Sequence, residues 1–209
     1  QTTIGSSVTI NMLIQNANQE AFVSDLVDSA EERFFMHVYR GDQREWVGII
    51  LADIIEIEDA PRPYLFKVVA TDGIGRAKDI QFESTPNRSG GNFQTERSIL
   101  LRLLGDALEA TRISQFYNLS EPYIKVICNW FDDRHTLASD PLNHTRVSSV
   151  KAFNKIKDQI QEDAKSLFVI ENIAQLFGAR VYQSSGVWVF EQVTERLNST
   201  FREFTYDKE

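Results

Sequence analysis

Residues Lys67–Phe82 read KVVATDGIGRAKDIQF. An apolar run ends in an acid, two glycines follow at Gly73 and Gly75, and a lysine stands at Lys78. This is the outline of a phosphate-binding loop, and it sets a nucleotide site against a plain turn. A dinucleotide loop needs G-x-G-x-x-G after a strand and at the start of a long helix. Here Lys78 occupies the third glycine position, and Pro86 arrives before an amphipathic helix could develop. A Walker loop is excluded because the GK[ST] ending is absent. The stretch therefore reads as a strand turned sharply at Asp72-Gly73, where glycine supplies a positive φ. The nucleotide-binding reading falls with the loop, and the chain reads as α+β.

Upstream of this stretch the chain is β-rich. Val8–Ile14 (VTINMLI) reads as a strand and Ala21–Ala30 as a short helix with Phe22 and Leu26 on one face. FFMHVYR and REWVGIILADIIEIE flank Gly41-Asp42, a hairpin signal. In the second of these strands both faces are largely apolar, which predicts cover on both sides. The prolines of Asp59–Pro63 make a turn, and Tyr64–Ala70 forms the strand that enters the opening stretch.

Downstream, Ser84–Asn92 (STPNRSGGN) is the most loop-like stretch, and it divides a module at 1–92 from an α+β module at 93–209. The second module opens with a helix over Thr95–Thr111, striped with Ile99, Leu100, Leu103, Leu104, Ala107 and Leu108. PYIKVICNWF is a strand, and Asp132–Thr145 a polar loop. Val150–Asp163 is expected as a helix with Phe153, Ile156 and Ile160 inward. A further helix over Asp163–Phe177 ends at Gly178, and Ser185-Gly186 closes a hairpin. The tail FREFTYD alternates as a last strand.

The 209 residues carry a net charge of −8, with 42% hydrophobic and 11% aromatic residues. That composition folds, and its acidity argues against binding nucleic acid through phosphates. No apolar run approaches the roughly 18 residues of a membrane span, and no signal peptide is visible. The single cysteine, Cys128, lies in an apolar run and reads as a buried thiol. N-x-S/T triplets begin at Asn87, Asn118, Asn143 and Asn198 and matter only in a eukaryotic secretory pathway.

Asp132, Asp133, Arg134, His135, Asp140 and His144 form the most metal-like cluster, although they match no established ligand spacing. A solvated loop explains the same residues. His37 stands alone in an apolar strand and reads as structural. Trp46, Trp130 and Trp188 are the residues that a sugar site would use, though at strand positions tryptophan more often packs a core. No catalytic, cofactor-binding or metal-binding residue is assigned from sequence.

The order of features resembles the N-terminal hub region of phage tail-tip, or baseplate hub, proteins, in particular the large tail proteins of Bacteroidetes-type phages. The resemblance rests on SVTINMLI, then Trp46-Val47-Gly48-Ile49-Ile50 as W-x-G-x-I, then an aromatic strand entering A-x-D-G at Ala70–Gly73, with Lys78-Asp79 just beyond. A helix over Ser98–Ala110, Asp140-Pro141-Leu142 and IENIAQLFGARVYQSSGVWVFE complete the order. The chain departs from the pattern at Ala77, where a larger apolar residue is usual, and at Ser166 and Phe168, where the family often carries cysteine and leucine.

The resemblance implies an antiparallel, β-barrel-like tube module with packed helices, followed by a mixed helix–hairpin half. It implies a homotrimeric ring that closes the tail tube in the virion and supports DNA passage and the host-attachment machinery. The neighbours would be the distal tail protein, the tail tube and the tape-measure protein. DNA would pass without specific binding, and no catalysis or cofactor is implied. Two other classes stay open: a carbohydrate- or receptor-binding module using the tryptophans, and a metal- or carboxylate-dependent hydrolase using Asp132, Asp133, His135 or His144.

Overall fold

The computed structural model describes residues 2–29, 33–58, 60–82, 98–117, 121–129, 140–148, 152–153, 155–157, 160–162, 164–193 and 202–207. The architecture is mixed α+β, with a curled antiparallel half-barrel sheet. Its strands are β1 (Ser7–Ile14), β2 (Phe35–Arg40), β3 (Gln43–Ile50), β4 (Glu56–Ile57) and β5 (Tyr64–Thr71). They lie in the order β1-β5-β3-β2, and β4 joins β5 on the same side as β3.

The sheet forms because its central strand alternates. Tyr64, Phe66, Val68 and Ala70 of β5 are buried, while Leu65, Lys67, Val69 and Thr71 face outward. Helix α1 (Ala17–Val27) covers the inner face. Asn16 caps it, accepting from the Gln19 amide while the Gln19 side chain accepts from the Asn16 amide, a capping box. That start turns Val23 and Leu26 inward, so Phe22, expected beside Leu26, is instead exposed. The long strand expected after Gly41-Asp42 is interrupted: a 3-10 helix at Ala52–Ile54 separates β3 from β4, and both run along β5.

The second sheet contains β7 (Pro122–Cys128), β11 (Ala179–Ser184), β12 (Val187–Gln192) and β13 (Arg202–Asp207), in the order β11-β12-β7-β13. Only β12 and β7 run parallel. Ser185 and Gly186, both at positive φ, close the β11–β12 hairpin as expected. Helices α2 (Leu100–Leu108) and α4 (Ser166–Leu176) supply the apolar cover, with Leu103, Leu104, Val169, Ile170 and Ile173 buried. Between them lie the short helix α3 (Pro141–His144) and two small ladders. One ladder joins β6 (Ser98–Ile99) to β8 (Arg146–Val147), the other β9 (Lys155–Lys157) to β10 (Ile160–Glu162). The second ladder corrects the helix expected over Val150–Asp163. Lys155-Ile156-Lys157 alternates with period two, and that local pattern prevails over the sparse helical one.

Two hydrophobic cores result, and β3 is the wall between them. Trp46 belongs to the smaller core with Val23, Leu26, Phe66 and Val68, whereas Val47 and Ile49 belong to the larger one with α2, α4 and β12. This is the physical meaning of the two-sided apolar strand. The larger core also takes Ile74, Ala77 and Phe82, so it draws on residues before and after the Ser84–Asn92 loop. That loop itself lies outside the described residues.

Candidate functional site

Among the described residues, those that the sequence marked do not converge. Gly73 sits at φ 77 and opens a 3-10 helix over Ile74–Lys78. The Ile74 amide, which would meet a phosphate, is instead taken by Asp72 Oδ1 at 3.0 Å. The turn thus carries its own anion. Cys128 is buried in the larger core. Asp140 caps α3 by accepting from the Leu142 and Asn143 amides, and burial pushes its carboxyl up. Asp132, Asp133, Arg134 and His135 lie outside the described residues, as does Trp130. Among the described residues no group of three or more His, Cys, Asp or Glu could hold a metal ion. Trp46 and Trp188 are buried, which removes them as a sugar-stacking pair. His37, expected as structural, is exposed at the surface of β2.

What the fold builds instead is a seam. The W-x-G-x-I and A-x-D-G stretches meet through Ser6. Trp46 Nε1 donates to Ser6 Oγ at 2.9 Å, and Ser6 donates to Asp72 Oδ2 from its hydroxyl at 2.7 Å and its amide at 2.6 Å. Asp72 is fully buried, and desolvation pushes its carboxyl above the ordinary value in spite of these donors. The indole of Trp46 folds over Gly48, where a Cβ would stand 2.1 Å from the ring. W-x-G-x-I is therefore a packing unit: the glycine makes room for the tryptophan.

The β11–β12 hairpin docks on the other side of β3. Gln183 pairs with both backbone groups of Val47, and the Gly186 amide donates to the Glu45 carbonyl at 2.9 Å. Tyr117 donates its hydroxyl to the Gly186 carbonyl, and burial pushes that phenol up to about 12. Arg44 lies over the Tyr117 ring at 4.4 Å and pairs with Glu121 at 3.3 Å. At the amino end, Thr2–Ile4 run alongside β11 through two bonds with Val181, at 2.7 and 2.9 Å. Sequence reasoning missed Ser6, Arg44 and Gln183, because each acts on a residue far away along the chain.

The sheet edges differ in how they end. Among the described residues, the outer edge of β11 is covered by Thr2–Ile4. β13 carries Arg202, Glu203 and Asp207, and β2 carries Arg40 and pairs with β3 across a bulge at Glu45 of β3. Bulges and charges of this kind blunt an edge against further pairing. β1 has neither: its eight residues are uncharged, its register with β5 is unbroken, and Ile10 and Leu13 are exposed on opposite faces. A shallow groove of about 300 Å³ lies where β3 meets the Ile74–Lys78 helix, lined by Ile49–Leu51, Asp53, Arg76 and Asp79. Two carboxylates there oppose a phosphate ligand.

No protein-family model matches the chain, and neither does any curated protein or solved structure. Among the described residues no helix is long and apolar enough to cross a membrane.

Proposed function

We propose that this chain is a structural module of a phage tail tip, a baseplate hub segment without catalytic activity. In this reading it assembles as a homotrimeric ring in the virion. The ring closes the tail tube, adjoins the distal tail protein and the tape-measure protein, and lets DNA pass without specific binding.

The observation that supports it most is the open edge of the half-barrel. A curled sheet that ends in an uncharged strand, with no further strand beyond it among the described residues, is suited to continuation by a neighbour's strand, because the N–H and C=O groups of an edge form a template. Three subunits, each continued at β1 by a strand of the next, would make a closed wall. The net charge of −8 fits a lumen that repels the phosphate backbone.

Native mass spectrometry of the chain at tens of micromolar tests the reading, with a trimer as the expected mass. The double substitution Thr9→Lys/Asn11→Lys places charges on the outer face of β1, and a folded monomer is then expected. A strict monomer from the unsubstituted chain, over the same concentrations, overturns the ring.

A further inference from the structure

The bulge in the β2–β3 hairpin re-aims one side chain, and the surface it creates is not explained by assembly. Trp46 lies across the ladder from Val38, but Arg44 lies across from Tyr39, so Glu45 is the extra residue. Without the bulge, Arg44 would share the face of Trp46, because side chains alternate. With it, Arg44 joins the face of His37 and Tyr39. Bulges recur beside binding sites because they redirect a side chain in this way.

On that face the His37 and Tyr39 rings lie nearly parallel, 14° apart in plane with centroids separated by 6.2 Å. Phe116 packs against His37, the two rings nearly perpendicular with centroids 5.8 Å apart. Tyr39 is 57% exposed, so its ring is presented rather than packed. Partial burial and the Arg44 guanidinium hold His37 below its ordinary value, which keeps the imidazole neutral near pH 7. Arg44 and Glu121 neutralise each other beside this ledge.

We propose that the His37–Tyr39 ledge, with the Arg44–Glu121 pair, binds a neutral pyranose oligosaccharide. Flat rings take the apolar C–H face of a sugar. A guanidinium and a carboxylate offer fixed donors and acceptors to its hydroxyls. The absence of net charge at the ledge disfavours anionic nucleic acid and polybasic peptides, which need an opposite charge to hold them. A proline-rich segment also uses aromatic surfaces, but it docks in a groove between rings, and this is a ledge.

Saturation-transfer NMR on the full chain tests the proposal with two probes, a β-1,4-linked N-acetylglucosamine tetramer and a β-1,3-glucan hexamer. Transfer to the ring C–H protons of at least one probe is expected. Tyr39→Ala should weaken binding about tenfold, with an unchanged melting temperature. Tyr39→Phe should bind as the unsubstituted chain does, since it keeps the ring face. Three results overturn the proposal: no transfer to either sugar, equal binding by Tyr39→Ala, or binding of a proline decapeptide in place of both sugars. None of these depends on whether the chain forms a ring.

Discussion

Gln183 holds Val47 by both of its backbone groups: the side-chain carbonyl accepts from the Val47 amide at 2.9 Å, and the side-chain amide donates to the Val47 carbonyl at 2.9 Å. A single amide thus takes the place of one rung of a ladder, across 136 positions of sequence. Both partners are buried, so neither backbone group can turn to water when the amide is removed. Gln183→Ala is expected to destabilise the fold by about 2–4 kcal/mol, since two buried groups are left unmet. Gln183→Glu keeps the acceptor but sets a carboxylate oxygen against the Val47 carbonyl, and should cost at least as much. Urea denaturation of both variants measures it.

Gly48 has a narrower task. A Cβ there would meet the Trp46 ring at 2.1 Å and the Thr71 carbonyl at 2.5 Å. Gly48→Ala should therefore displace the indole and break its bond to Ser6, at a cost of roughly 1–3 kcal/mol. A red shift in tryptophan emission reports the displacement, and an unchanged spectrum refutes the packing role given to this glycine.

At Gly73 two penalties coincide. The residue sits at φ 77, and an added Cβ would come within 2.5 Å of the Thr111 carbonyl, a backbone atom. Gly73→Ala should cost about 2–4 kcal/mol, strain and contact together. The expected reading is a lower denaturation midpoint with an unchanged m-value.

The buried carboxyl of Asp72 gives a pH dependence of defined sign. Desolvation raises its folded-state pKa above the unfolded value, so the folded chain holds the proton more tightly. Its contribution to stability is then fully present below the unfolded pKa and is lost as pH rises through the folded one. Asp72→Asn removes this titration. The destabilisation caused by Asp72→Asn should shrink as pH rises from about 4 towards neutrality. Urea titrations of both proteins across that range test it, and a destabilisation that grows with pH contradicts it.

The elements with strong local signals were legible in the sequence. β5 announced itself by alternation, the β2–β3 and β11–β12 hairpins by Gly41 and Gly186, and the end of α4 by Gly178. The turn at Gly73 and the two-sided cover of β3 were also readable. Where the pattern was thin, local competition decided: Lys155–Lys157 paired as a strand, and the Asn16 cap set the rotation of α1. The seam was not legible, because Ser6 and Gln183 are ordinary polar residues whose partners lie elsewhere in the chain. The His37–Tyr39 ledge was hidden for a different reason. It depends on one extra residue in β3, and alternation alone puts Arg44 on the wrong face.

The seating of Thr2–Ile4 beside β11 has a consequence for how the chain can be divided. Residues 2–82 contribute Val47, Ile49, Ile74, Ala77 and Phe82 to the larger core and a parallel segment to the far sheet. The two halves are therefore complementary fragments. Expressed as separate polypeptides, 1–92 and 93–209 should find each other and restore the fold, a split protein whose reassembly reports the integrity of the seam.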